Sequence, residues 1–213
     1  MYESTLNNDS LEEVISEIQS SPNYIKYQDL PQNYINAVIA VEDHRFRTHG
    51  AIDFIAIGRA IYINITNFKL LEGGSTITQQ VAKNIFYINE NNPIIRKSAE
   101  IITSFDLENN YDKNEILELY VNTIYFGDGY YGIEEACNGY LDKSATDMSL
   151  EDCTMLAGVP NAPSVYAPTV NPDLTKIRQE KVISSMVEYG YLSEDNQTNL
   201  LQNLDKYYEQ FVK

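Results

Sequence analysis

Apolar residues recur every three or four positions along most of the chain, and no segment shows the strict alternation of a half-buried strand. Residues 1–30 are polar and acidic, and a short apolar pattern from Leu11 to Ile18 predicts one helix there. Residues 34–41 are apolar on nearly all sides, which predicts a helix packed inside a core and ending beside Glu42. The pattern therefore predicts a mainly α protein.

A second apolar stretch has two interpretations. Residues 52–65 predict another helix, but residues 62–71 are apolar without a regular period. A membrane-facing flap and an ordinary hydrophobic connector fit that irregular segment about equally well.

The second half of the chain carries clear start and stop signals. Helices are predicted over 94–108, after the capping box Asp112–Glu115, over 173–188 and from about residue 193. Four prolines between residues 159 and 172 predict a rigid, extended segment.

Length and charge narrow the functional classes. At 213 residues the chain can bury a core, which predicts one domain, with a bilobed form as the open alternative. The net charge of −16 disfavours nucleic acid and gives no general attraction to an anionic membrane. An anionic substrate would therefore need a local basic cluster, for which the candidates are Arg45, Arg59, Lys83, Arg96 and Lys97.

Cysteines and histidines predict no metal centre. Cys137 and Cys153 form no CxxC pair and are expected to be buried free thiols. His44 and His49 lack the further ligands that a zinc site requires. No apolar run is long enough to span a bilayer, so any membrane anchor is expected outside these residues.

A glycine-rich segment, residues 73–80, precedes another helical pattern. Its sequence is Gly-Gly-Ser-Thr-Ile-Thr-Gln-Gln, and a helix is predicted to begin near Ser75 or Thr76. Lys83 lies about two turns into that helix, so amide groups, a helix N-terminus and an ammonium would suit a phosphate or diphosphate. An ordinary capped turn is the alternative.

Two carboxylates are candidate catalytic groups. Glu42 follows an apolar run, where partial desolvation would make it a competent proton acceptor; the alternative is a helix-terminal acid paired with Arg45. Glu100 is four residues after Arg96, which fits either a surface ion pair or an acid that orients phosphate-binding cations.

Five blocks of the chain, in order, resemble glycosyltransferase family 51, the peptidoglycan glycosyltransferases. These occur alone or as one module of bifunctional penicillin-binding proteins. The blocks are Glu42-Asp43-His44-Arg45-Phe46-Arg47-Thr48-His49; residues 73–80 with Lys83-Asn84; Arg96-Lys97-x-x-Glu100; residues 115–134; and residues 156–164.

The resemblance implies a mainly α, lysozyme-like bilobed fold with a large helical lobe and a small membrane-associated jaw lobe at about residues 60–72. Residues 31–213 would form the glycosyltransferase domain, preceded by an N-terminal polar helical segment, residues 1–30. It also implies polymerisation of lipid II into β-1,4-linked glycan strands, with inversion at C1 and release of undecaprenyl diphosphate. The implied partners are lipid II, the growing glycan strand, the membrane surface and other cell-wall synthesis proteins, at the extracytoplasmic face of the bacterial cytoplasmic membrane.

The same resemblance assigns roles to residues. Glu42 would deprotonate the acceptor's GlcNAc 4-hydroxyl, and Glu100 would support the donor site. The resemblance allows a divalent cation, magnesium or manganese, at the lipid diphosphate. It implies no organic cofactor. The other residues expected to bind substrate are Asp43, Phe46, His49, Arg59, Gly74, Ser75, Thr76, Gln79, Gln80, Lys83, Asn84, Arg96 and Lys97.

The chain departs from the family pattern at two positions that commonly carry positive charge, which here are Asn91 and Ala99. One lost charge-assisted contact costs about 1.5–3 kcal/mol, so slow turnover is one expectation.

Two alternative functions remain open: a catalytically weakened module that binds lipid II or the cell wall, and a lysozyme-like glycan-cleaving enzyme. The second would need paired carboxylates across one glycosidic bond.

Overall fold

A computed structural model of the chain describes residues 10–67 and 74–211. Within these ranges the regular structure is helical, with a single isolated bridge between Tyr125 and Tyr131. The α-helices are α1 (Leu11–Gln19), α2 (Gln32–Glu42), α3 (Phe54–Asn67), α4 (Ile77–Phe86), α5 (Pro93–Asn110), α6 (Lys113–Thr123), α7 (Ile133–Leu141), α8 (Leu150–Gly158), α9 (Pro163–Tyr166), α10 (Pro172–Glu188) and α11 (Glu194–Tyr208). The predicted mainly α class is confirmed.

Local capping signals set several helix starts where the sequence predicts them. Asn92 precedes α5, and its side chain accepts hydrogen bonds from the amides of Ile94 and Ile95. Before α6, the Asp112 amide donates to Glu115 Oε2 at 2.8 Å, and the Glu115 amide donates to Asp112 Oδ1 at 3.0 Å. The predicted capping box is therefore present, and the helical elements predicted from periodicity are confirmed.

The chain divides into two compact units. One consists of residues 1–19 and 45–120, and in it α4 packs against α5. The other consists of residues 20–44 and 121–213, and in it α2, α8 and α10 pack on one another, while α11 packs on α10. Residues 20–44 thus group with the C-terminal half of the chain, and the boundary at residue 30 stays a prediction.

The second unit ties its last helix to α8 through one buried acid. Asp152 is 1% exposed and accepts hydrogen bonds from Lys143 Nζ and from the Tyr207 hydroxyl, each at 2.7 Å. An apolar cluster of Ile183, Leu200 and Leu204 lies between α10 and α11. Polar and apolar contacts therefore both fix α11 on this unit.

Two segments differ from their predicted form. Residues 159–172 are not simply extended, because Val159–Asn161 forms a 3-10 turn and Pro163–Tyr166 forms α9. A proline at the first helical position lacks only an N–H that the helix would leave unpaired, so it starts a helix without penalty. Up to Asn67, the apolar segment predicted to be irregular continues α3; residues 68–71 lie outside the described part of the chain.

Both cysteines are buried free thiols, as predicted. Burial raises the pKa of Cys153 to about 12, and Asp152 contributes to that rise. Burial also raises the pKa of Cys137 well above its usual range, with Glu134 adding to the effect. Neither thiol is therefore a nucleophile at neutral pH.

Gly132 is required at the start of α7. Its φ of 81° and ψ of 158° fall in a region that only glycine readily adopts, and a Cβ there would lie 2.7 Å from the Asn122 carbonyl oxygen. We expect Gly132→Ala to lower the free energy of unfolding by about 3 kcal/mol or more in urea denaturation. Gly129→Ala is the control, because its φ is 88° but its Cβ would meet no atom within 4 Å. Equal losses in both variants would contradict the role of the clash.

Candidate functional site

The glycine-rich segment forms the capped start of α4. Thr76 Oγ1 accepts a hydrogen bond from the Gln79 amide at 3.1 Å, and Gln79 Oε1 accepts one from the Thr76 amide at 3.3 Å. Thr76 Oγ1 also donates to the Ala51 carbonyl at 2.9 Å. A Cβ on Gly74 would lie 3.2 Å from the backbone of Ile57, so glycine allows a close approach to α3. The helix start predicted near Ser75 or Thr76 is confirmed.

Lys97 joins the glycine-rich segment to the Arg-Lys-x-x-Glu block. Its ammonium donates to Ser75 Oγ at 3.1 Å, to Gln79 Oε1 at 3.2 Å and to Glu100 Oε2 at 3.1 Å. Three donors and three acceptors match, so the ammonium has a partner for each of its protons. Lys97 thus holds the cap of α4 against α5.

Glu100 is a buried acid between two cations. It is 4% exposed, and its second oxygen lies 3.4 Å from Arg96 Nε, opposite the contact with Lys97. Because Glu100 is buried, these contacts are not a simple surface ion pair; its role in orienting phosphate-binding cations stays a prediction. The exposed fractions of those two side chains, 35% and 44%, leave part of each cation open to solvent.

Three of the predicted binding residues pack inside the protein. Thr76 and Gln79 are 2% and 3% exposed, and Phe46 is fully buried. Lys113 Nζ lies 4.5 Å from the Phe46 ring centre, which places a cation over the ring face. These side chains support the surrounding residues and present almost no surface to a ligand.

The remaining predicted residues of this unit lie nearer the surface. Lys83, Arg59 and Ser75 are exposed, whereas Gln80, Asn84 and His49 are half-buried. His49 Nδ1 lies 2.6 Å from the Gly50 carbonyl oxygen. Lys83 lies in the last turn of α4, and in the described ranges of the chain no carboxylate pairs with its ammonium.

Glu42 ends α2 in the other unit. Its side chain is 11% exposed, as expected for a partly desolvated acid, and Asp43 beside it is 8% exposed. The Glu42 carboxylate pairs with Arg178 of α10, with Oε1 3.5 Å from Nη2. In the first unit, Arg45 Nε lies 2.9 Å from Asp53 Oδ2.

Asp53 is a structural acid that sequence reasoning did not single out. Its Oδ1 accepts hydrogen bonds from the amides of Ile55 and Ala56 at the start of α3. Burial alone would raise the pKa of Asp53, but the Ala56 amide and Arg45 outweigh it and hold that pKa below its usual value. An aspartate directly before a helical pattern is the signal that could have identified this cap.

A family model described as "Transglycosylase" matches residues 9–187, a range that contains Glu42, Lys97 and Glu100. The chain belongs to the transglycosylase family. Members of this family transfer glycosyl groups, and all five sequence blocks lie inside the matched range.

Similar proteins in several bacteria support this membership. The chain is 40% identical over 182 residues to penicillin-binding protein 1F of Bacillus subtilis, covering 85% of this transglycosylase chain and 25% of that protein. It is also 40% identical over 190 residues to penicillin-binding protein 1A of Neisseria gonorrhoeae, covering 89% of this chain and 24% of that protein. The chain thus spans about a quarter of the length of these curated relatives.

A shorter relative and a solved structure add to the comparison. A Cupriavidus necator protein whose name describes it as a transglycosylase is 39% identical over 181 residues, covering 85% of this chain and 78% of that protein. The crystal structure of penicillin-binding protein 1A from Haemophilus influenzae has a TM-score of 0.51 at 22% identity, covering 84% of this transglycosylase and 17% of that chain. At that identity the structural likeness shows the fold alone.

We expect Lys97→Met to lower the free energy of unfolding by about 1–3 kcal/mol, because it removes three hydrogen bonds and one of the two cations beside buried Glu100. Chemical denaturation measures the change. Lys83→Met is the matched control and should stay within about 0.5 kcal/mol of the original chain, because Lys83 is exposed. Similar stabilities for both variants would contradict the structural role of Lys97.

Proposed function

We propose that this transglycosylase is a peptidoglycan glycosyltransferase that polymerises lipid II into β-1,4-linked glycan strands. The family match over residues 9–187 carries this proposal, because it contains every block that resembles the peptidoglycan enzymes. The names of two relatives, penicillin-binding proteins 1F and 1A, support a role in the bacterial cell wall. The exposed Lys83 ammonium in the last turn of α4 supports a substrate that carries a diphosphate.

In the proposed reaction, the 4-hydroxyl of the acceptor's GlcNAc attacks C1 of the donor's MurNAc. The new bond joins that oxygen to C1, and the bond between C1 and the diphosphate oxygen breaks with inversion. Glu42 takes the hydroxyl proton, for which its low exposure of 11% is suitable. Undecaprenyl diphosphate leaves with the bonding electrons, so stabilising its negative charge is the second requirement.

The cations that could meet that charge differ in their exposure to solvent. Lys83 and Arg59 are exposed, and Arg96 is 35% exposed beside Glu100. We assign these three side chains to the leaving diphosphate. Lys97 is assigned to positioning instead, because its ammonium already has three protein acceptors.

The residues near Glu100 fit a cation-bound diphosphate better than a divalent metal ion. Glu100 is the one carboxylate of this cluster, and Arg96 and Lys97 at 3.4 Å and 3.1 Å already balance its charge. Magnesium and manganese favour several oxygen ligands that are not shared with protein cations. We therefore route no step of the reaction through a metal ion.

We further propose that α3 meets the membrane surface where lipid II resides. Large apolar side chains on this helix are unusually exposed: Phe54 75%, Ile55 62%, Ile61 55%, Tyr62 69% and Ile65 65%. Apolar contact is the attraction that a chain of net charge −16 can use on an anionic bilayer. In the described part of the chain, no helix combines the length and hydropathy needed to cross a bilayer.

One assay tests the function. Purified protein is incubated with labelled lipid II in detergent, and the products are separated by gel electrophoresis. We expect a ladder of polymerised glycan. Cleavage of preformed glycan without consumption of lipid II would support a glycan-cleaving enzyme, and lipid II binding without turnover would support a binding module; either result would overturn the proposal.

A further inference from the structure

Arg178 is a mostly buried cation that none of the five sequence blocks contains. It lies on α10, in the same compact unit as Glu42, and its side chain is 15% exposed. Its Nη2 lies 3.5 Å from Glu42 Oε1, and its Nε donates to the Gly158 carbonyl at 3.2 Å. Burying a guanidinium costs free energy unless it is paired, and the Glu42 carboxylate supplies a negative charge here.

Several neighbours fix the position of the Arg178 side chain. Its guanidinium carbon lies 6.0 Å from the centre of the Tyr166 ring. Gly158 leaves room for its stem, because a Cβ at that position would lie 3.0 Å from Arg178 Cγ and 3.4 Å from a methyl group of Val182. The end of α8, the short helix α9 and α10 thus together aim the cation at the end of α2.

We propose that Arg178 is a positioning residue that keeps the Glu42 carboxylate oriented and ionised for proton abstraction. This inference rests on the proposed function. A neighbouring positive charge favours the ionised form of an acid, and only that form can accept the acceptor hydroxyl's proton. The contact at 3.5 Å is longer than the 2.7–2.9 Å of a strong charge-assisted hydrogen bond, so it orients the carboxylate without a tight bond.

The same pair also explains how the base is restored after each transfer. When Glu42 has taken the proton, Arg178 remains buried beside a neutral partner. That state is unfavourable for the cation, which promotes release of the proton to water and returns the carboxylate. A polymerase must reset its base for every added unit, so the effect should appear in kcat.

The test compares Arg178→Met with Arg178→Lys and with Lys181→Met, an exposed control on the same helix. Labelled lipid II is the substrate, and kcat and KM are measured separately. We expect Arg178→Met to lower kcat about tenfold with KM changed less than about twofold, because a misoriented base affects the chemical step. Arg178→Lys should recover most of the loss, and Lys181→Met should leave both constants unchanged.

A second variant keeps the positive charge of Arg178 but shifts the position of its side chain. Gly158→Ala places a methyl group 3.0 Å from Arg178 Cγ, so it should displace the guanidinium and lower kcat about threefold with little change in KM. Circular dichroism first confirms that each variant is folded. This variant keeps the test decisive if Arg178→Met does not fold.

The outcomes separate the inference from the function on which it rests. If the original chain is active and folded Arg178→Met or Gly158→Ala keeps the original kcat, the positioning role alone is overturned. The positioning role is also overturned if Arg178→Lys does not recover the kcat lost in Arg178→Met, or if Arg178→Met changes KM alone. An original chain that does not consume lipid II would overturn the proposed function, and the role of Arg178 with it.

Discussion

Glu42→Gln is expected to lower the rate of lipid II polymerisation by about 100- to 10,000-fold. The substitution keeps the shape of the side chain but removes the group that accepts the acceptor's proton. Glu42 is the last residue of α2, and only 11% of its side chain is exposed, so it is partly desolvated as a general base requires. The measurement is the initial rate of polymer formation from labelled lipid II.

The control for this variant is Glu188→Gln, which removes an exposed negative charge from α10 in the same unit. It should polymerise lipid II at the original rate. Arg178 loses its charged partner in Glu42→Gln, so a lower unfolding temperature is also expected, and rates are compared below the unfolding transition of both proteins. A polymerisation rate within a factor of about three of the original would exclude Glu42 as the base.

Lys83→Ala is expected to lower kcat/KM for lipid II by about 10- to 150-fold. An exposed ammonium in the last turn of α4 can form a charge-assisted contact with a diphosphate, and losing such a contact costs about 1.5–3 kcal/mol. The charge on the leaving group grows during bond breaking, so a substantial part of the loss should lie in kcat.

Lys83→Arg and Lys181→Ala complete this experiment. The arginine variant keeps the charge and should retain part of the activity, whereas Lys181→Ala removes an exposed charge elsewhere and should have no effect. The free energy of unfolding should be the same for all three. Unchanged kinetics in Lys83→Ala would remove this residue from the site.

Sequence reasoning succeeded where the signals are local. The helix start at Ile77 follows from a threonine and a glutamine three residues apart, and α2 ends at Glu42 because the apolar pattern ends there. Residues 159–172 show the limit of the same approach. Proline both interrupts helices and begins them, and the packing that selects one outcome is not visible in the local sequence.

The contacts that organise the site are long-range and were not predicted. Lys97 is 22 residues from Ser75, and Arg178 is 136 residues from Glu42. Spacing within one helix predicted only the pair of Arg96 and Glu100, which the structure contains at 3.4 Å. Lys97 was therefore predicted to bind phosphate, whereas its three protein acceptors indicate a role in holding two helices together.

The buried acid at the start of α8 has a practical consequence for recombinant work. The family match stops at residue 187, yet Tyr207, which donates to Asp152, and the leucines that cover Ile183 all lie beyond it. An expression boundary drawn at the end of the match would remove one donor from a carboxylate that water cannot reach and would uncover apolar surface on α10. The polypeptide expressed for crystallisation or kinetics should therefore extend at least through Tyr208, the last residue of α11.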